Sequence, residues 1–220
     1  MKLDLHIHST YSRDGTASPK EIVLKCRELG LDGLAITDHN AIQGSMDAVK
    51  LAELEGLLVV RGVEISTING HVLAYGISEL IPKGLSIHET IDKIHESGGV
   101  AVAAHPVRFP SGIGLELASY SKFDAIEVLN GGNSRRSNLR AARLAESLRR
   151  PVTAGSDAHS VEEIGKSYVV LEGPQTEKDV LDALRSGRAR AGGRSRSRGE
   201  GMIYSLETLV EWLRGSFKRL

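Results

Sequence analysis

Five apolar runs in this chain each carry histidine or carboxylate at or near their C-terminal ends, and that recurrence restricts the fold more than any other feature. They are LDLHIH (Leu3–His8), LAITDH (Leu34–His39), VVRGVEI (Val59–Ile65), VAVAAH (Val100–His105) and VTAGSDAH (Val152–His159). Each reads as a strand, and helical segments lie between them, giving about seven strand–helix units. Such alternation argues for a parallel sheet. In a closed α/β barrel the C-terminal strand ends share one rim, whereas an open doubly wound sheet spreads them along a line. Barrel-like closure, which brings the polar residues together, is the expected arrangement.

The helices have their own signals. Ser18-Pro19-Lys20-Glu21 combines an N-cap, a first-turn proline and a capping-box glutamate, with an apolar stripe of Ile22, Val23, Cys26 and Leu29 ending at Gly30. Further helices are expected at about 42–55, 86–97, 115–120, 137–149 and 176–186. Asn69-Gly70 is a hairpin turn, so HVLAYGI from His71 returns antiparallel to the strand containing Glu64. YVVLE (Tyr168–Glu172) is a last strand. From Gly187 the composition changes to GRARAGGRSRSRGEG, in which Arg188, Arg190, Arg194, Arg196 and Arg198 alternate with small residues. This segment is expected to be a mobile basic loop. The helix Ile203–Leu220 follows, its stripe of Leu206, Leu209, Val210, Leu213 and Phe217 free to dock. Residues 1–190 are thus expected to form the barrel, and 191–220 a basic loop with a C-terminal amphipathic helix packed on it.

Composition excludes some classes. Twenty-eight basic and 28 acidic residues balance, so no global field draws the chain to nucleic acid or membrane. Cys26 is the only cysteine, which rules out an intrachain disulfide and favours an intracellular setting. The start MKLDLHIH has no apolar leader, and no run of 18 apolar residues occurs, so a soluble cytoplasmic protein is expected.

Six of the eight histidines fall at the expected rim: His6, His8, His39, His71, His105 and His159. On a strand, His6 and His8 face the same side roughly 7 Å apart, which suits two imidazoles converging on one cation. Asp14, Glu64 and Asp157 add carboxylates, and packing these groups together without a cation is electrostatically costly. A multinuclear metal site removes that cost. His88 and His95, at helical spacing with Asp92, lie beside the stripe of Ile87, Ile91 and Ile94 and are read as solvated.

The set HIHSTYSRDG, ITDHN, GVEI, HVLAYG, AHP and GSDAH resembles the PHP (polymerase and histidinol phosphatase) family of metal-dependent phosphoesterases, over roughly residues 1–190. The resemblance implies a distorted (β/α)7 TIM-like barrel holding two or three divalent ions. Carried onto these residues, one ion takes His6, His8, Glu64 and Asp157. A second shares Glu64 and adds His71 and His105, and a third uses Asp14, His39 and His159. Histidine and carboxylate ligands admit Zn, Mn or Fe. Clustered divalent ions activate water near neutrality and clamp phosphate oxygens.

Asp38, beside His39, is a candidate to orient its imidazole. Arg13, Arg108, Arg135 and Arg136 follow rim strands and are candidates for phosphate contact, since the guanidinium fork suits bidentate binding. The resemblance also places phosphate-binding arginines near Arg135 and Arg136 in some relatives. The expected function is hydrolysis of phosphomonoesters by metal-activated water: nucleotides, nucleoside bisphosphates or short oligonucleotide ends. The alternatives are a histidinol-phosphate phosphatase, or a nucleic-acid-binding accessory protein that uses the Arg188–Arg198 loop.

Overall fold

The structure, a computed structural model, describes residues 1–120, 122–173, 176–197 and 199–200. Ten strands and six helices follow one another among these residues. The first is β1 (Lys2–Ile7), buried along Leu3, Leu5 and Ile7. Helix α1 (Pro19–Glu28) starts at the expected capping box, with Ser18 and Glu21 each satisfying the other's backbone N–H. Strand β2 (Gly33–Ile36) and helix α2 (Gln43–Glu53) follow.

The expected single strand over LLVVRGVEIST is two, β3 (Leu58–Val59) and β4 (Gly62–Thr67). Asn69-Gly70 turns β4 into β5 (Gly70–Tyr75), with Thr67 opposite Gly70 and Glu64 opposite Leu73. Helix α3 (Ile87–Glu96) has the same capping box as α1, made by Ser86 and Glu89, and buries Ile87, Ile91 and Ile94. His88 and His95 are exposed beside that stripe, and His95 reaches Asp124 rather than Asp92, at 2.9 Å. Next come β6 (Val100–Ala103), α4 (Gly114–Tyr120), β7 (Ala125–Asn130), α5 (Arg135–Leu148), β8 (Val152–Gly155), β9 (Ser167–Val170), α6 (Glu177–Arg185) and β10 (Arg190–Gly193).

Two sheets result, ordered β10-β9-β1-β2-β3 and β4-β5-β6-β7-β8. Among the described residues no continuous ladder closes the two sheets, so the expected TIM-like barrel is not confirmed beyond a mixed α/β fold of two sheets. They meet instead at isolated bridges. His8 N donates to Ala158 O (2.8 Å) and Asp157 N to His6 O (2.7 Å) on one side, and Asn40 N to Glu64 O (2.9 Å) on the other. Pairing is mixed: β1–β2, β2–β3, β6–β7 and β7–β8 are parallel, while β4–β5, β5–β6, β1–β9 and β9–β10 are antiparallel.

Two further expectations change. The arginine-rich segment does not begin as a mobile loop, since Arg190–Gly193 pairs with Ser167–Val170 as an edge strand. Arg190-Ala191-Gly192-Gly193 needs no apolar pattern for this, because a ladder is held by backbone groups. Helix α5 begins two residues earlier than expected, because Ser134 caps it by accepting from Ser137 N at 3.1 Å. Arg135 and Arg136 therefore sit in its first turn. The expected helix Ile203–Leu220 and Arg198 lie outside the described residues.

Between the sheets the core is built from Leu3, Leu5, Leu73, Tyr75, Val100 and Val102, with α6 closing one end through Val180 and Leu184. Tyr75 is fully buried and donates its hydroxyl to Leu5 O at 2.6 Å, tying the second sheet to β1. This packing fixes the strands whose ends carry the polar residues described next.

Candidate metal centre

Glu64 is the hub. It is fully buried on β4, where its neighbours Val63 and Ile65 hold the strand in the core. Its Oε1 lies 2.8 Å from His71 Nδ1 and 2.8 Å from His105 Nε2. Its Oε2 lies 3.1 Å from His6 Nε2, 3.1 Å from His8 Nε2 and 3.6 Å from His39 Nδ1. Asp157 Oδ1 approaches the same two imidazoles, at 3.4 Å from His6 and 3.2 Å from His8. The strand period that puts His6 and His8 on one face is thus realised at the end of β1.

On the solvent side, Asp14 Oδ2 stands 3.2 Å from His159 Nε2 and 3.5 Å from His39 Nε2. The structure therefore gathers all nine metal-ligand candidates in one place. Among the described residues, three sets have ligand atoms within 4.8 Å of one another: His6, His8, Glu64 and Asp157; His8, Asp14 and His159; and His39, Glu64 and His71. The first set coincides with the first ion's expected ligands. In the other two, His8 replaces His39 and His39 replaces His105, because His39 lies between Glu64 and Asp14. His105 and Asp157 adopt positive φ values, +25° and +54°, which non-glycine residues seldom hold without a functional constraint.

The electrostatics depend on this crowding. Burial opposes ionisation of Glu64, yet His6 and the hydrogen bonds from His105, His6 and His71 hold it well below the usual carboxylate range. Burial likewise opposes charge on Asp157 and is outweighed by Arg108 and His6. His8 is pushed up to about 9 because Asp157 and Glu64 outweigh its own burial. Such a pocket demands positive charge. His8 Nε2 and His39 Nδ1 are buried and satisfy no hydrogen-bond geometry, although carboxylate oxygens are close by. Ring nitrogens that lie among carboxylate oxygens without hydrogen-bonding geometry fit shared coordination of a divalent cation.

Residues behind the centre escaped the sequence reading. Glu127, at mid-strand on β7 and 1% exposed, takes His6 Nδ1 at 2.9 Å, His105 N at 2.7 Å and Asn130 Nδ2 at 2.9 Å. With Nε2 turned toward Glu64 and a cation bound on that side, the Glu127 carboxylate, which only accepts, would hold the His6 proton on Nδ1. The available signal was a lone acid inside the apolar run AIEVL. Ser12 Oγ contacts His8 Nδ1 (3.3 Å) and accepts from His39 N (2.7 Å). Asp4 accepts from Ser156 N and Gly165 N, both at 2.8 Å, joining β1 to the Asp157 loop.

The other candidates separate. Among the described residues Asp38 makes no hydrogen bond to the His39 ring; it accepts from Ser9 N (2.6 Å) and Ser9 Oγ (2.8 Å), anchoring the loop after His8. Arg108 turns inward to Asp157 Oδ2 (2.5 Å), Asn130 Oδ1 (2.8 Å) and Asn133 Oδ1 (2.9 Å). Arg13, Arg135 and Arg136 are exposed.

A two-sheet α/β fold with a histidine–carboxylate cluster at its strand ends defines a class of candidate metal-dependent hydrolases. Residues 4–130 match the PHP domain model, and residues 135–189 match the PHP-associated model. The chain belongs to the PHP family. It is 30% identical over 189 residues to the uncharacterized protein MJ0417 of Methanocaldococcus jannaschii, covering 81% of this chain and 73% of that one. It is 33% identical over 105 residues to a 5′-3′ exoribonuclease of Haemophilus influenzae, covering 46% of this chain and 38% of the relative. Its fold is similar to a two-domain Bacteroides vulgatus protein containing a predicted PHP-like metal-dependent phosphoesterase. That similarity has a TM-score of 0.75 at 20% identity, over 88% of this chain and 65% of the other. Among the described residues, no helix is long and apolar enough to cross a membrane.

Proposed function

We propose that this protein hydrolyses phosphomonoesters, with nucleotides, nucleoside bisphosphates or oligonucleotide ends as substrates. The observation that carries this reading is the gathering of nine imidazole and carboxylate side chains around Glu64, with His8 Nε2 and His39 Nδ1 lacking hydrogen-bond partners. His6, His8, Glu64 and Asp157 would hold one ion; Glu64 with His71, His39 and His105 a second; and Asp14 with His159, His8 and His39 a third. Divalent ions bound there would lower the pKa of water and neutralise charge on a phosphoryl group.

The chain's own residues do the rest. Glu127 fixes the His6 tautomer, and Arg108 holds Asp157 in place while Asn130 and Asn133 hold Arg108. Arg13 stands in the loop between His8 and Asp14, and Arg135 and Arg136 stand at the start of α5, positions from which to contact substrate phosphate. The exoribonuclease name of one relative favours nucleotide-like esters over histidinol phosphate.

Elemental analysis of the purified full chain, combined with phosphate release from a 3′,5′-bisphosphonucleotide, a nucleoside monophosphate and histidinol phosphate in Mn²⁺, tests this. Bound metal and turnover of the nucleotides are expected. Bound metal with no phosphate released from any of the three would overturn the substrate reading.

A further inference from the structure

Arg135, Arg136, Arg140 and Arg143 follow one side of α5, and the segment after β10, with Arg194 and Arg196, forms the facing wall of a groove of about 1410 Å³. That volume exceeds what one phosphomonoester occupies. Arg194 is engaged by Glu200 through two contacts of 2.9 Å. Among the described residues, no acidic side chain pairs with the four arginines of α5. Arg136 and Arg140 are four apart and Arg140 and Arg143 three apart, spacings at which like charges on a helix repel. A chain with no net charge has thus concentrated unbalanced guanidinium groups along about 12 Å of one helix.

The groove is built, and it leads to the metal centre. Its wall is pinned where Arg196 N donates to Asn133 O (2.9 Å) and Asn138 Nδ2 to Ser195 Oγ (3.0 Å). At its inner end Gly132 N donates to Asn130 Oδ1 (2.9 Å), and Asn130 Nδ2 donates to Asp157 Oδ2 (3.1 Å). A Cβ at Gly132 would stand 2.6 Å from Arg108 Nη2 and 3.4 Å from Asp157 Oδ2, so only glycine fits beside Arg108 at this junction.

A second observation points the same way. Phe109 is 96% exposed, on the loop after His105 and next to Arg108, whose guanidinium contacts Asp157. An isolated exposed apolar residue is ordinary, but a bare aromatic ring adjacent in sequence to Arg108 offers a stacking surface to an unpaired base.

We propose that the α5 groove binds the phosphodiester backbone of a single-stranded nucleic acid, with the terminal nucleotide at the metal centre and its base against Phe109. This names the substrate class within the phosphoesterase reading and rests on it for the position of the chain end; the groove's affinity does not depend on hydrolysis.

The test is fluorescence anisotropy of labelled single-stranded dT12 with the full chain in EDTA, which prevents cleavage. Four neutralised phosphates give a slope of about −3 for log affinity against log salt concentration. Arg140→Glu/Arg143→Glu should weaken binding at least tenfold, and Arg140→Lys/Arg143→Lys should restore most of it. Phe109→Ala should cost about tenfold with dT12 and almost nothing with an abasic strand of equal length. Unchanged binding in the charge-reversed variant, or displacement of dT12 by poly-glutamate as readily as by unlabelled dT12, would overturn the proposal. Parallel assays of phosphate release from a mononucleotide in Mn²⁺ keep the outcomes apart. Binding without any hydrolysis fails the phosphoesterase reading, and hydrolysis without strand binding fails this one.

Discussion

Glu127 Oε1 stands 2.9 Å from His6 Nδ1, buried on β7 of the second sheet. Removing its charge should loosen the imidazole that faces Glu64. Glu127→Gln is expected to weaken metal binding 10- to 100-fold, measured by competition with a chelating dye, while the fold survives. Unaltered affinity would show that the carboxylate is structural only.

Both oxygens of Glu64 face histidines, Oε1 toward His71 and His105, Oε2 toward His6, His8 and His39. Glu64→Gln should therefore lower the content of two ions together, whereas His39→Ala should lower chiefly one. Elemental analysis of both variants decides the point, and equal losses would contradict a shared carboxylate.

Arg108 neutralises the buried Asp157 across 2.5 Å. In EDTA, Arg108→Ala should destabilise the protein by about 2–3 kcal/mol, because a buried carboxylate loses its cation. Adding Mn²⁺ should shrink that difference, since a bound ion takes over the neutralisation. Urea titrations with and without metal provide the comparison.

Gly155 packs against β1 so tightly that a Cβ would sit 2.3 Å from His6 Cβ and 2.6 Å from His6 N. Gly155→Ala should cost about 1–3 kcal/mol by overpacking and displace His6 as well. A lowered Tm together with weakened metal binding is the expected pair of results.

Cys26 is wholly buried on α1, and burial, reinforced by Asp4, pushes its thiol well above the ordinary range. It should not react with a disulfide reagent at pH 8 until denaturant is added. Prompt reaction in buffer would mean that α1 detaches readily.

How far the sequence foretold this can be traced residue by residue. The two-residue period of LDLHIH, the capping boxes at Ser18 and Ser86, and the Asn69-Gly70 turn are local codes, and each element appears where its code lies. Closure of the sheets was illegible because it depends on backbone contacts between residues about 25 to 150 positions apart, such as Asn40 with Glu64 and Asp157 with His6. The break between β3 and β4 leaves no hydrophobic signature, since apolar residues stand on both sides of it, half-buried at Leu58 and Val59 and buried at Val63. Strand β10 was hidden because an edge strand needs only a backbone, and Arg-Ala-Gly-Gly supplies one without an apolar pattern. Glu127 was visible as a letter, but its purpose emerges only when β1 and β7 are side by side.

The isolated bridges between the sheets acquire a purpose from their location. His6 and His8 end a strand of the first sheet, Glu64 and His71 belong to the second, and Asp157 follows β8 at the seam. Any cation held by these groups rivets two half-walls that the backbone only bastes together. Residues 4–130 alone would leave out Asp157 and His159, so the C-terminal third carries two of the rivets' anchor points. Stripping the ions should accordingly speed amide exchange first at His8, Asn40 and Asp157, along the seam, and only later in the interiors of the two sheets.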